Sequence, residues 1–387
     1  MSTAADRLDT LRNELGRAGV EALLDRLIED LRKEKDFPAL YQALQMRLRR
    51  NLGLPMLTPT PTDQLDEEVQ RKLELGLVDA CKEVGIGLIR AGSIREGFLY
   101  LRPVGDRGLV RSELNQVTPD DENSEDLIEI LLGEGIDVGR GMRLLIDRMG
   151  TCQGITAMES ELAQRSREDQ AAAATALVEN LHAELMATLT GEITAKEGER
   201  PTDKSLKGLV ADRDWLFDDN NYHTDTTHLS AVVRFARVIS DRQILAKAID
   251  LTHYGSALAP MLQYPGDEPF AEQYPSHRLF FEALAGKRQD EAATFFAEKA
   301  EALRDSNFGA YAAETLVDLL DRIGRPEEAL AAYERFVDPR RPGLGIAPDL
   351  IELSRKAGNF DLALSQAAQR GNAYELSRVL LASKGER

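Results

Sequence analysis

The sequence predicts an all-α protein made of stacked helical hairpins. Three observations predict it. Apolar residues recur at spacings of three and four, the period of one helical face. Alternation of period two, the mark of a half-buried strand, is almost absent, and the short runs Gly87–Ile89 and Phe98–Leu101 fit helix better. Four segments far apart in the chain share one helix–turn–helix pattern.

Taken in order, residues 3–52 read as two or three helices. Leu8, Leu11, Leu15, Val20, Leu23, Leu24, Leu27 and Leu31 form one stripe, Lys33–Phe37 breaks it, and Ala39–Leu52 resumes it. Pro55, Pro59 and Pro61 then stop any helix, so Leu54–Asp63 reads as a linker and residues 1–54 as an N-terminal helical arm. A second region, 63–189, opens with a helix from Asp63 or Asp66 to Ala91. Gly92-Ser93 turns the chain into a partner helix over Ile94–Leu101, and Pro103–Asp106 is a loop. In the acidic loop Asp120–Glu125, Ser124 is placed to cap a helix over Glu125–Leu132. Gly133, Gly135, Gly139 and Gly141 mark a turn. They form no phosphate loop, because no strand precedes them and no Gly-Lys-Ser/Thr follows.

Ser160–Leu189 reads as a long helix carrying His182, and residues 190–205, rich in Gly, Glu, Lys and Thr, as a polar linker. In the third region, 206–387, helices are expected over His228–Ile239, Arg242–Leu262, His277–Ala285 and Asp290–Leu303. Gln263–Ser276 is long for a helical connection, which points to a functional loop, and Tyr264, Phe270 and Tyr274 make it a candidate lid. From Asn307 the chain returns to short hairpins.

The recurring segments are Leu88–Phe98, Leu320–Leu330, Ser354–Leu364 and, more loosely, Leu31–Leu40. Each ends one helix, turns within a few residues and starts another on small or apolar side chains. Gly324 and Gly358 lie 34 residues apart, and Tyr333 and Phe336 follow Ala329-Leu-Ala-Ala where large packing residues are needed. Residues 310–370 thus resemble tetratricopeptide repeats, and Leu77–Val104 does so more weakly. The resemblance implies a TPR-like α-solenoid with a concave surface, commonly offered to proteins or peptides. It further implies that Leu320, Ala329, Tyr333 and Phe336 are buried between hairpins.

Charge and composition exclude several classes. A net charge of −18 argues against a nucleic-acid partner, since a phosphate backbone calls for basic surface. No run approaches the length of a membrane span, and the polar start of the chain is unlike a signal peptide. Cys81 and Cys152 form no CxxC pair and read as buried thiols of a cytoplasmic protein.

The stretch that stands apart is Trp215–His228. It holds the only tryptophan, three acids and two of the five histidines. One reading is a divalent transition metal (Zn, Fe or Mn) held by His223, Asp225 and His228, with His277 as the distant ligand. Neutral imidazoles with one carboxylate suit such ions. Asp218 and Asp219 would hold the rings from behind. His-x-Asp with a distant His also resembles the facial triad of non-haem iron oxygenases, whose β jelly roll this chain cannot form. The other reading is a structural loop, in which Asn220, Asn221, Thr224, Asp225 and Thr226 supply turns and a helix cap while the aromatic residues pin the loop down. Two functions follow: a tetratricopeptide-like scaffold that binds a protein or peptide partner, or a metal-dependent hydrolase or oxygenase on a helical frame.

Overall fold

Several helices of this chain begin where a short polar side chain accepts the first free backbone N–H groups. Asp36 accepts from Ala39, Asp66 from Glu68, Asp106 from Leu109, Ser166 from Asp169 and Asp241 from Gln243 and Ile244. The computed structural model describes residues 4–58, 65–339 and 343–385, with side chains from Leu8 onward. Among the described residues every regular element is a helix and there is no strand, as the sequence predicts.

The chain forms two compact units, Met1–Leu144 and Leu145–Arg387. The first contains α1 (Ala4–Glu34), α2 (Phe37–Asn51), α3 (Glu67–Arg90), α4 (Ile94–Leu101), α5 (Arg107–Leu114) and α6 (Ser124–Ile128). The boundary falls inside α7 (Val138–Met149). α1 is two helical pieces meeting at Gly19, whose φ is +84°. Residues 1–54 are not a separate arm. Ile28 and Leu31 of α1, Leu40 and Leu44 of α2, and Val84 and Leu88 of α3 share one buried cluster. A single amphipathic hairpin cannot bury its stripe alone, and α3 supplies the missing face. The linker begins tied back to α2, because Arg49 donates to the carbonyls of Pro55 and Thr58 at 2.6 and 2.8 Å. Its later residues, Pro59–Asp63, lie outside the described residues.

α3 and α4 approach most closely where both lack a side chain. A Cβ on Gly97 would stand 2.7 Å from the Gly85 carbonyl oxygen, so the sequence puts glycine on both sides of the crossing. The second cluster of this unit joins Ile89, Ile94, Leu101, Leu114, Leu127 and Leu131.

The second unit contains α8 (Thr151–Ser160), α9 (Arg167–Glu197), α10 (Leu206–Val210), α11 (Thr226–Phe235), α12 (Arg242–Ala257), α13 (Gln273–Leu284), α14 (Gln289–Ala302), α15 (Gly309–Arg322), α16 (Pro326–Phe336), α17 (Leu350–Ala357), α18 (Asp361–Arg370) and α19 (Ala373–Ser383). From α11 onward each helix packs on the next, the neighbour-on-neighbour order of a helical solenoid. α9 lies against α8, α10, α11 and α12.

Several boundaries differ from expectation: α12 stops at Ala257 rather than Leu262, and α13 starts at Gln273, within the expected loop. The helix placed over Ser160–Leu189 is two elements, α8 and α9, joined by an irregular turn. The expected linker over 190–205 is helical to Glu197. A polar composition with no proline continues a helix, and the stop comes only at Gly198, in the left-handed region at φ 82°.

All four recurring segments fall on hairpin turns that pass through one left-handed residue. These are Lys35 (φ 57°), Gly92 (φ 96°), Gly324 (φ 81°) and Gly358 (φ 68°). Gly286 (φ 87°) does the same between α13 and α14. Leu320 and Ala329 are buried as expected. Tyr333 and Phe336 are only half-buried.

Candidate functional site

The Trp215–His228 stretch folds as a short 3-10 helix over Asp214–Asn220, two left-handed residues (Asp219 and Asn220), and the start of α11. Leu216 is fully buried, and Lys196 Nζ lies 3.8 Å above the Trp215 ring, so the stretch is fastened to α9. Asp225 is the cap of α11. Its Oδ1 accepts the Thr227 hydroxyl at 2.6 Å, the Thr227 N–H at 2.8 Å and the His228 N–H at 3.3 Å. These bonds, the Thr227 hydroxyl first, hold its carboxyl below the usual carboxylate range.

His223 is enclosed, with a side chain 2% exposed. Its Nε2 lies 2.9 Å from Glu192, and Tyr254 Oη lies 3.1 Å from Nδ1 and 2.8 Å from the His223 backbone N. One tautomer satisfies all three contacts: Nε2–H donates to Glu192, Nδ1 accepts the Tyr254 hydroxyl proton, and the His223 N–H donates to the same oxygen. Burial lowers the pKa of His223, and Glu192 opposes this without overcoming it. The Phe217 ring lies against His223 and Tyr254, with centroids 5.9 and 5.6 Å away. Burial raises Tyr254 to about 12.

His277 belongs to different surroundings. It is 1% exposed, donates from Nδ1 to the Gln273 carbonyl one turn back, and stacks on Phe270 at 4.3 Å. Among the described residues its Nε2 has no hydrogen-bond partner. Burial, with Arg237 nearby, holds its pKa well below the ordinary value.

The geometry therefore separates these residues: His223 is a buried ring bonded to Glu192 and Tyr254, Asp225 a helix cap, His228 part of the first turn of α11, and His277 a stacked core ring. Among the described residues no group of three or more His, Cys, Asp or Glu is arranged to hold a metal ion. Sequence spacing placed these residues on adjacent helices, but did not say which groove each helix would face. The lid reading of Gln263–Ser276 fares similarly. Phe270 and Tyr274 are buried in the core and Tyr264 is exposed, so two of its three aromatic residues are anchors. Cys81 is buried with Sγ 3.7 Å from Tyr41 Oη, whereas Cys152, expected to be buried, is exposed at the start of α8.

The polar centre that sequence reasoning missed is Asp250, on α12. It is 7% exposed and accepts from Leu206 N at 2.6 Å and Lys207 N at 2.8 Å, with His182 Nε2 at 2.8 Å. Burial alone would raise its pKa, but the contacts with His182 and the two amides outweigh that and lower it. A signal did exist: an aspartate inside the apolar run Ile249–Leu251 is a misfit that has to be paired.

A groove of about 420 Å³ runs beside α14, α15 and α16. Ala293, Ala297, Leu316, Leu320 and Ala332 form its floor, and Phe336 closes one side. The guanidinium groups of Arg304 and Arg335 lie 5.1 and 4.9 Å from the Phe336 ring centre. Arg325 pairs with Asp290 on the rim. Small floor residues let a backbone or side chain come close, and the charged rim can fix its direction.

Comparison of the chain with protein-family models, with curated proteins and with solved structures returns no match.

Proposed function

We propose that this protein is a tetratricopeptide-like helical scaffold whose groove along α14–α16 receives a segment of a partner protein. The observation that carries the reading is the alanine-floored groove itself, set on hairpins that turn at Gly286, Gly324 and Gly358. Stacked hairpins leave such grooves between consecutive helices, and a short-side-chain floor with an aromatic wall suits an amphipathic segment. Mixed charge on the rim, from Asp290, Glu328, Arg325 and Arg335, gives register rather than bulk attraction. Two thiols with no disulfide are compatible with a cytoplasmic setting.

The reading is tested with a photo-crosslinking side chain at Ala297, and another at exposed Leu99 in the first unit. The expected result is one defined adduct from native extract at position 297, none at position 99, and loss of the same association in Ala297→Trp. Equal labelling at both positions, or association unchanged in Ala297→Trp, would overturn the groove as the docking surface.

A further inference from the structure

Within the second unit a cavity of about 430 Å³ is walled by the chain between α8 and α9, the end of α11, α13, α15 and the strip Leu344–Ile346. Its lining contradicts the charge of the whole chain. The protein carries −18, yet Arg165, Arg167, Arg234 and Arg237 all line this cavity and Asp318 is the one acid among them.

Asp318 is already engaged. It is 3% exposed and holds Arg167 at 2.7 Å and Arg322 at 3.1 Å. Arg234 reaches outward to Glu159 at 2.5 Å. Arg237 is different. Its Nε donates to the Arg234 carbonyl at 2.8 Å and its Nη1 to the Tyr311 hydroxyl, both neutral oxygens. No carboxylate pairs with it among the described residues. Its guanidinium lies 4.9 Å from the Phe270 ring centre and 5.6 Å from that of Tyr311. Burial, then the nearby Arg234 charge, pull its pKa down to about 9, so it remains charged at neutral pH in a place that disfavours charge. The side chain is half-buried, and a cation withdrawn from water is normally paired. Arg322 also donates to the Arg237 and Ile239 carbonyls, which fixes the turn that presents Arg237. Phe235, Phe280 and Ile346 give the wall an apolar part, with Gln164, Gln170 and Thr315 as its neutral polar part.

We propose that this cavity binds a small organic anion, with a phosphate or carboxylate against Arg237 and an apolar, ring-sized body against Phe235, Phe280 and Ile346. Asp267 acts on Arg237 only through space, and the anion supplies the direct counter-charge. A planar guanidinium backed by an aromatic ring is well suited to an oxyanion. The size and the apolar wall separate this ligand from a bare inorganic ion. The inference does not depend on the groove of α14–α16, and the two fail separately.

Calorimetric titration of the full chain tests it with phenyl phosphate, 3-phenylpropionate, inorganic phosphate and benzylamine as probes. Saturable one-to-one binding of phenyl phosphate or 3-phenylpropionate is expected, at least tenfold tighter than inorganic phosphate, with no binding of benzylamine. Which aromatic anion binds tells a phosphate ligand from a carboxylate one, and binding of both is the shared chemistry. Arg237→Met should weaken binding tenfold or more. Ile346→Trp, which fills the cavity from a different wall, should do the same if Arg237→Met fails to fold, with Trp215 fluorescence in Arg237→Met reporting whether it does. No saturable binding of either aromatic anion would overturn the proposal. So would benzylamine binding equally, inorganic phosphate binding as tightly, or affinity unchanged in the variants.

Discussion

In the first unit Phe98 is the only buried ring and Glu113 and Ser124 are the only buried polar side chains, among the described residues. The second unit encloses Tyr254, Phe270, Tyr274, Phe280, Phe281 and Phe296, together with Asp250, Thr252, Gln273, His277, Glu314 and Asp318. One interior is aliphatic and nearly dry, and the other is aromatic and wired with hydrogen bonds. Packing helices does not require the second kind, since aliphatic side chains fill the first unit without it. Buried polar groups are costly unless every partner is in place. Their work is to fix geometry. Asp250 joins α9, α10 and α12, and Glu314 accepts the N–H groups of Leu344, Ile346 and Ala347 to set one wall of the arginine-lined cavity. The two candidate binding surfaces of the second unit rest on this rigid frame.

The sharpest way to break the comparison is one substitution in each interior. Asp250→Ala leaves two buried amides and His182 without their acceptor and should destabilise the second unit by about 3–5 kcal/mol. Leu131→Ala removes aliphatic packing from the first unit and should cost about 2–5 kcal/mol there. Trp215 fluorescence follows the second unit, and hydrogen exchange of α3–α6 follows the first. Each variant should move one probe only. If both probes move together in both variants, the units unfold as one and the contrast has no energetic meaning.

A smaller effect comes with pH. All five histidines lie in the second unit. His223, His253 and His277 are held below their ordinary pKa, burial being the largest cause in each. As pH falls below about 6.5 the unfolded chain takes up protons that the folded chain refuses. Stability present above that value is therefore lost on acidification, at about 1.4 kcal/mol per pH unit for each histidine still neutral in the fold. Denaturant midpoints measured at pH 7 and pH 5 should fall for Trp215 fluorescence and stay level for the first unit. His277→Leu should remove part of the slope.

The smallest expected effect is the same in both units. Gly92 and Gly324 have φ of 96° and 81°, and a Cβ on either would meet open space. Each change to alanine should cost about 1–2 kcal/mol from the left-handed backbone alone. A clearly larger loss at Gly324, read from the thermal midpoint, would mean that the turn carries packing that Gly92 lacks.

The hairpins were legible in the sequence because their signals are local. A glycine or lysine turn follows one apolar stripe and precedes another, at Lys35, Gly92, Gly324 and Gly358. The turn at Gly286 carries the same signature, in Ala285-Gly-Lys, between the helices expected over His277–Ala285 and Asp290–Leu303. The candidate site was much less legible. Asp225 as a helix cap follows from its neighbours, but the pairing of His223 with Glu192 and Tyr254, or of His182 with Asp250, depends on which faces of three helices meet. The arginines of the cavity come from positions 165 to 237, and nothing in their spacing announces that they converge.

Asp250 also bears on how the chain may be cut. Its two backbone bonds grip the start of α10, where Leu206 is fully buried. Glu199, Arg200, Thr202, Asp203 and Lys204, just before it, are exposed. α10 is thus fastened to α12 through space and not only through the peptide that leads into it. Trypsin acting after Lys204 would leave a nicked molecule whose two pieces stay docked. The same loop is a natural place for new termini in a circular permutant or for an inserted reporter domain.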